Sequence, residues 1–318
     1  MNNMFLVTCF ISFFINIILP FCQATHPLCN KWNTILETAL TPTLNTTSSL
    51  GISAEGAARR VIGFVRENST VLDIGGHLGI FSEAIISMYN EKFSNTFLNI
   101  GIFEPRYLFY LCQIERMAIL DDPKWEKKKR FTHPNTINME FFNFALGEKD
   151  YETKTLLVSP DGNTEDNIPS GWNTLLEVDP LANDDGIDDW KAKMGHEYVL
   201  IRSLSSVFHS LNQKFSNDVS VIKIDVEGFE GMVIRGALPW LRQISLEKKI
   251  LPIFIVEVGW GIERHPQAEA NTKTYRELVS IGYCDIVLPR TFTTDVLFIP
   301  RSIDPTCSKH QLWEGGRL

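Results

Sequence analysis

The chain alternates between short, almost wholly apolar runs and longer stretches in which apolar residues recur at helical spacing. The apolar runs lie at 70–75, 96–103, 137–146, 220–225 and 252–258. Several carry four or more consecutive apolar or β-branched residues, as strands buried on both faces of a parallel sheet do. Helical spacing holds over 79–90, 106–119, 204–213 and 228–241, and a stretch at 53–68 opens the series with Ser53 as candidate N-cap. Strand and helix in alternation predict a doubly wound α/β sheet.

The rhythm changes near the end. After a helix predicted at 268–281 come "YCDIVLP" and "DVLFIP", joined by "RTFTT". A linker that short cannot make a parallel crossover, so these strands form an antiparallel hairpin. Between 147 and 198 lies a polar excursion rich in Gly, Pro, Asn and Asp, expected as a cover over an acceptor site or as surface ornament. The domain is expected over 53–318, preceded by a loosely structured lead-in at 25–52.

The first residues belong to neither pattern. Residues 5–21 are apolar and uncharged, and Cys22-Gln23-Ala24 follows Pro20 and Phe21. A short apolar core ending in small residues predicts a signal peptide over 1–24, with an uncleaved anchor as the alternative. Both send the remainder into the secretory pathway, and a membrane is a partner only in the second case. Asn45-Thr46-Thr47 and Asn68-Ser69-Thr70 match the N-glycosylation pattern. Outside the leader the cysteines are Cys29, Cys112, Cys284 and Cys307. An oxidising compartment permits two disulfides. Cys284 and Cys307 flank the hairpin and are the preferred pair, leaving Cys29 with Cys112.

A net charge of −8 and the lack of a basic patch interleaved with aromatics argue against nucleic acid as a partner. The chemistry concentrates instead in "VLDIGGHLGIFS", residues 71–82. Gly75, Gly76 and Gly79 allow a sharp strand-to-helix turn and close approach of a ligand. A dinucleotide fingerprint would place its acid about 20 residues after the turn. Here Asp73 precedes it, which opposes a pyrophosphate and favours an amine-bearing ligand. Glu104, in "IFEP" at the end of the next strand, is placed to bond ribose hydroxyls.

With these residues in order, the sequence resembles the FkbM-type methyltransferases, which use S-adenosylmethionine. The matching strings are "VLDIGGHLGIFS", "IFEP", "NFALGEKD", "SLSSVF", "VIKIDVEGFEGMVIRGA" and "PIFIVE", over about 70–258. The resemblance implies a class I methyltransferase-like fold, mostly parallel with an antiparallel C-terminal hairpin strand. It implies a cofactor site built from Asp73, Gly75, Gly76, His77, Gly79, Glu104, Asn143 and Ala145. His77 stands where the family usually has Asn, Gly76 where Ala is common, and Ser205 where an Asp is usual.

Ligands of open α/β sheets lie beyond the strands' carboxyl ends. Asp225, Glu227 and Glu257 stand at such ends and are the candidate catalytic carboxylates. Glu227 is the favoured base for a hydroxyl acceptor, and Glu230, one turn into a helix, reads as structural. Trp260 is a candidate platform for a sugar face. The three carboxylates are hard oxygen ligands, so a divalent metal is a candidate that the spacing does not enforce and is not favoured. The expected function is O-methylation of a small-molecule or glycan hydroxyl in the secretory lumen. The rivals are a nicotinamide reductase and a binding protein on a degenerate methyltransferase fold.

Overall fold

The computed structural model describes residues 49–121, 135–158, 173–175, 195–210, 218–258, 268–289 and 294–305. Helix α1 (Ser49–Val61) leads through a 3₁₀ turn into strand β1 (Ser69–Ile74). Then follow α2 (Ile80–Lys92), β2 (Phe97–Phe103), α3 (Tyr107–Asp121) and β3 (Thr136–Phe142). A set of strands comes next: β4 (Ala145–Leu146), β5 (Glu152–Val158), β6 (Asn173–Thr174) and β7 (Gly195–Arg202). The chain continues through α4 (Leu204–Ser210), β8 (Val219–Ile224), α5 (Glu230–Leu246) and β9 (Ile253–Val258). It closes with α6 (Ala268–Ile281), β10 (Tyr283–Pro289) and β11 (Thr294–Pro300).

The main sheet has the order β10-β11-β9-β8-β1-β2-β3. Strands β3, β2, β1, β8 and β9 are parallel, and β11 runs antiparallel between β9 and β10. The predicted hairpin is therefore present, with its second strand inserted into the sheet. The chain steps outward from β1 to β3 and then returns to β8 beside β1, so helices fall on both faces. Val71, Val221, Ile253 and Ile255 pack with α1 and α2 on one face. Leu72, Ile222, Ile224 and Phe254 pack with α4, α5 and α6 on the other. Side chains alternate between faces along a strand, which is why both residue sets come from the same runs.

Three expectations need correction. Ser53 is not an N-cap: α1 begins at Ser49 and Ser53 lies inside it. Gly56, not Glu or Gln, stands three residues after Ser53, so the reciprocal capping bond has no partner there. The strand expected at 137–146 is two strands in two sheets, broken at Asn143, whose Nδ2 donates to the carbonyls of Glu104 and Pro105 at 3.0 Å each. The excursion at 147–198 begins and ends in strand: β5 and β7 pair antiparallel in a second sheet ordered β4-β7-β5-β6. Its inner face packs Leu156, Val158, Val199 and Ile201 on Phe229. Residues 159–172 and 176–194 of the excursion lie outside the described residues.

Ser205 has a structural task that its residue type alone did not reveal. Its Oγ donates to the carbonyl of Gly236 at 2.7 Å and accepts from the Trp240 N–H at 3.2 Å. It therefore sits inside the hydrogen-bond ladder of α5, beside Pro239. Proline removes a ladder donor, and an inserted side chain is one recognised cause of a bend. Ser205→Ala is expected to destabilise the fold by about 1–3 kcal/mol, the cost of unpaired buried groups. Urea unfolding checks this, and an unchanged midpoint would show that the ladder closes without the hydroxyl.

Cys112 and Cys284 are each disulfide-bonded. Cys29, Cys307, Asn45 and the apolar segment at 5–21 lie outside the described residues. Among the described residues no helix is long and apolar enough to cross a membrane.

Candidate active site at the carboxyl ends of the central strands

The strand order reverses between β1 and β8, and open α/β sheets bind ligands in the crevice at such a switch point. The turn after β1 forms one side of it. Gly75 and Gly79 have φ of 76° and 77°. The N–H groups of Gly75 and Gly76 both donate to the Phe103 carbonyl at 3.0 Å, and Gly79 N–H closes the turn onto Gly76 O at 2.7 Å. A Cβ at Gly75 would lie 1.8 Å from the Asp225 carbonyl oxygen, so the chain past β1 and the chain past β8 touch backbone to backbone.

His77 also has positive φ, 47°. Its carbonyl accepts from Gln113 Nε2 at 2.6 Å, and its ring meets Phe109 edge-on at 4.2 Å. Leu78 packs with Phe109 and Cys112. Three neighbouring positions of α3 thus grip the turn. Removal from water pushes the His77 pKa down to about 4, with Lys223 and Arg106 adding to the shift and Asp225 opposing it. The ring is neutral at physiological pH.

Asp73 is 0 % exposed. Its Oδ2 accepts from Ser82 Oγ at 2.7 Å, and its Oδ1 pairs with Lys223 Nζ at 3.2 Å. The sequence reading gave this carboxylate to the cofactor's ammonium or to the turn; the structure places it against Ser82 and Lys223. Glu104 is engaged with backbone instead. Its Oε2 accepts from His77 N–H and its Oε1 from Arg106 N–H, both at 2.8 Å. Burial pushes its pKa up to about 8, against the pull of those two N–H groups and of Lys223 and Arg106. Asn143 binds the two carbonyls that follow β2, and Ala145 lies in the apolar cluster under the second sheet. Glu197 of β7 reaches the same corner, with Oε1 3.6 Å from Arg106 Nε and Oε2 accepting from Tyr107 N–H at 3.4 Å.

The other side of the crevice follows β8. Lys223 Nζ donates to the Gly75 carbonyl at 2.7 Å and pairs with Asp225 Oδ2 at 3.3 Å. Burial works against its charge, but Asp225, Asp73 and Glu257 outweigh this and hold its pKa above the ordinary lysine value. The Asp225 side chain is 32 % exposed and so opens toward the crevice, unlike Asp73. Glu227 has φ 53° and a partly open side chain. Such a backbone is costly for a non-glycine residue and clusters at functional sites. Desolvation first, then Asp225 and Glu230, push the Glu227 pKa up to about 8, with Lys223 opposing. Glu230 is buried, and its Oε1 accepts from the N–H groups of Gly228 at 2.9 Å and Val226 at 3.3 Å. It braces the turn, in line with its structural reading.

Glu257, next to last in β9, pairs in register with Asp295 of β11, which Arg60 of α1 holds at 2.8 Å. The structure thus brings Asp73 and Asp225 to Lys223, whose charge Glu257 also favours, and puts Glu227 within electrostatic reach of Asp225 and Lys223. Trp260 lies outside the described residues. Among the described residues no three His, Cys, Asp or Glu side chains come together as a metal ion would require. The sequence reading missed Lys223 as a site residue. Its signal was present: a lysine in the otherwise apolar run "VSVIKI" must find partners where the strand is buried.

A turn with no room for a side chain at Gly75, carboxylates at three strand ends and a sheet with β11 inserted antiparallel fit a sulfonium cofactor with ribose and ammonium groups. The Gly75–Gly79 turn, the Glu104–Asn143 corner and Asp225 would hold it. These features define a class I S-adenosylmethionine-dependent methyltransferase. The Methyltransferase FkbM domain matches residues 73–279, more than half of the chain, and the chain belongs to that family.

No curated protein sequence matches the chain. Among solved structures it is similar to a SAM-dependent methyltransferase from Aquifex aeolicus, at 12 % identity and TM-score 0.37, covering 80 % of this chain and 94 % of that one. A TehB-like SAM-dependent methyltransferase from Corynebacterium glutamicum is similar at 7 % identity and TM-score 0.36, covering 86 % and 97 %. A methyltransferase from Pyrococcus furiosus is similar at 13 % identity and TM-score 0.33, covering 85 % and 95 %. At these scores the likeness adds nothing to the strand order and the family match.

Proposed function

We propose that the chain transfers a methyl group from S-adenosylmethionine to a hydroxyl oxygen of a glycan or glycoconjugate in the lumen of the secretory pathway. The observation that carries the reading is Glu227: a partly open carboxylate on a strained backbone, beside an Asp225 tied to Lys223, at the switch point of a methyltransferase sheet. The cofactor, when bound, supplies an electrophilic methyl group. The residues of this chain align and deprotonate. Asp225 and the glycine turn fix one end of the crevice, and Glu227 accepts the acceptor's proton as its oxygen forms the new bond. A hydroxyl is a poor nucleophile while it keeps its proton, so a positioned base adds about 10²–10⁴-fold. Alignment contributes about 7–11 kcal/mol in the best cases.

The compartment reading has separate support. Disulfide bonding of Cys112 and Cys284 is chemistry of an oxidising compartment. Asn68, of the second glycosylation triplet, is exposed, with its Oδ1 accepting from Phe97 N–H at 3.0 Å. The family resemblance and a carboxylate base support a hydroxyl acceptor, and a glycan is the one proposed.

Calorimetric titration of the full, oxidised chain with S-adenosylmethionine and S-adenosylhomocysteine tests the reading. Both are expected to bind. Binding of NADH in their place would return the nicotinamide reading. Binding of the cofactor without transfer to any hydroxyl acceptor would leave a binding protein on a methyltransferase fold.

A further inference from the structure

Lys223 does something that neither the glycine turn nor the carboxylates can do alone. An ammonium has three protons and no acceptor capacity. Three oxygens stand around it here: the Gly75 carbonyl accepts its hydrogen bond at 2.7 Å, and Asp73 Oδ1 at 3.2 Å and Asp225 Oδ2 at 3.3 Å are its ion-pair partners. Two of these belong to the chain leaving β1 and one to the chain leaving β8. The backbone bond Asp225 N–H to Ile74 O, at 3.1 Å, ends the ladder between them. Beyond it the two segments diverge into the crevice walls, and Lys223 continues the connection through its side chain.

We propose that Lys223 is the positioning residue of the cofactor crevice, fixing the Gly75 carbonyl and the Asp225 carboxylate relative to each other without touching the ligand. With these three oxygens around its ammonium and its side chain 8 % exposed, it is largely closed to a ligand. Removing it would take the side-chain donor from the Gly75 carbonyl, leaving that peptide held by the Gly76 N–H bond to Phe103, and would take the lysine ion pair from Asp225. Both walls would lose their set position, although every group proposed to contact the cofactor would still be present. The inference rests on the crevice being the S-adenosylmethionine site.

A bare structural role for a buried lysine is charge balance, and the two roles separate in a double variant. Lys223→Met leaves the fully buried Asp73 unbalanced and is expected to lose both stability and cofactor affinity. Lys223→Met combined with Asp73→Asn removes both buried charges in similar volume. Its urea midpoint is expected to return close to that of wild type. Its affinity for S-adenosylhomocysteine is expected to stay about tenfold or more weaker, the scale of a lost charge-assisted bond. Asp73→Asn alone keeps Lys223 on Gly75 and Asp225 and is expected to bind more tightly than the double variant.

Calorimetry with S-adenosylhomocysteine on the full chain reads all three, and the double variant decides even where Lys223→Met alone does not fold. Recovery of affinity together with stability in the double variant would reduce Lys223 to charge balance and overturn the proposal. An Asp73→Asn chain as weak as the double variant would overturn it too, by assigning the effect to Asp73. Wild type binding neither S-adenosylmethionine nor its product would overturn this inference together with the methyltransferase reading. Wild-type binding with full affinity in the double variant overturns this inference alone.

Discussion

Glu227→Gln is expected to lower methyl transfer by on the order of 10²-fold or more while leaving affinity for S-adenosylmethionine nearly unchanged. The amide keeps the shape of the side chain and cannot take a proton. Two pH dependences should accompany the loss. A base works deprotonated, and surrounding protein, Asp225 and Glu230 push the Glu227 pKa from 4.5 to about 8. Wild-type turnover should therefore rise with pH toward about 8 and level beyond it, and the residual rate of the glutamine variant should lack that rise.

Stability moves the other way. A carboxyl whose folded pKa is raised binds its proton more tightly when folded, so its contribution is fully present below the unfolded pKa near 4.5. It is lost as pH climbs through about 8. Urea unfolding across that window should show the decline in wild type and a smaller one in Glu227→Gln, with Glu104 and Glu230 supplying the remainder. Asp225→Asn, by contrast, should harm cofactor binding and turnover together. Dialysis against a chelator should leave activity intact if the carboxylates act as bases. Full activity in Glu227→Gln would move the base to Asp225 or Glu257.

Gly75→Ala is expected to cost more than about 4 kcal/mol of stability, at the exceptional end for a single substitution. Two effects add. The residue has φ 76°, and a Cβ there would stand 1.8 Å from the Asp225 carbonyl oxygen. Backbone is the obstacle, so no side-chain rotation relieves it. Gly282→Ala separates the two effects. Its φ is 112° with nothing within 4 Å of the added carbon, so only the conformational penalty applies. Side chains pay roughly 1–2 kcal/mol in left-handed conformations. Equal unfolding midpoints for the two variants would show that the walls of the crevice are not in backbone contact.

The parts of this protein that were legible in its sequence depend on short stretches of chain. Apolar runs such as "SVIKID" and "PIFIVEV" name parallel strands because burial on both faces demands it. Five residues between two strand-like runs force a hairpin, since no crossover fits. Gly75, Gly76 and Gly79 announced a sharp turn after the strand, and acids could be placed at the strands' carboxyl ends because the runs that precede them are legible as strands.

Tertiary structure decided what those acids touch. Lys223 meets the Gly75 carbonyl 148 positions away only because β8 returns beside β1, and that pairing also sets it against the buried Asp73. Glu104 spends both oxygens on the N–H groups of His77 and Arg106, which no spacing rule foretells. Strands β5 and β7 were hidden because they lie inside a polar excursion and pair with each other across it, with their inner face on Phe229. Ser205 acquired its task from a helix that begins 25 residues later. Local periodicity follows from the backbone's own repeat and can be read in place. Partnership between buried polar groups follows from which strands come to lie side by side, and only the folded chain settles that.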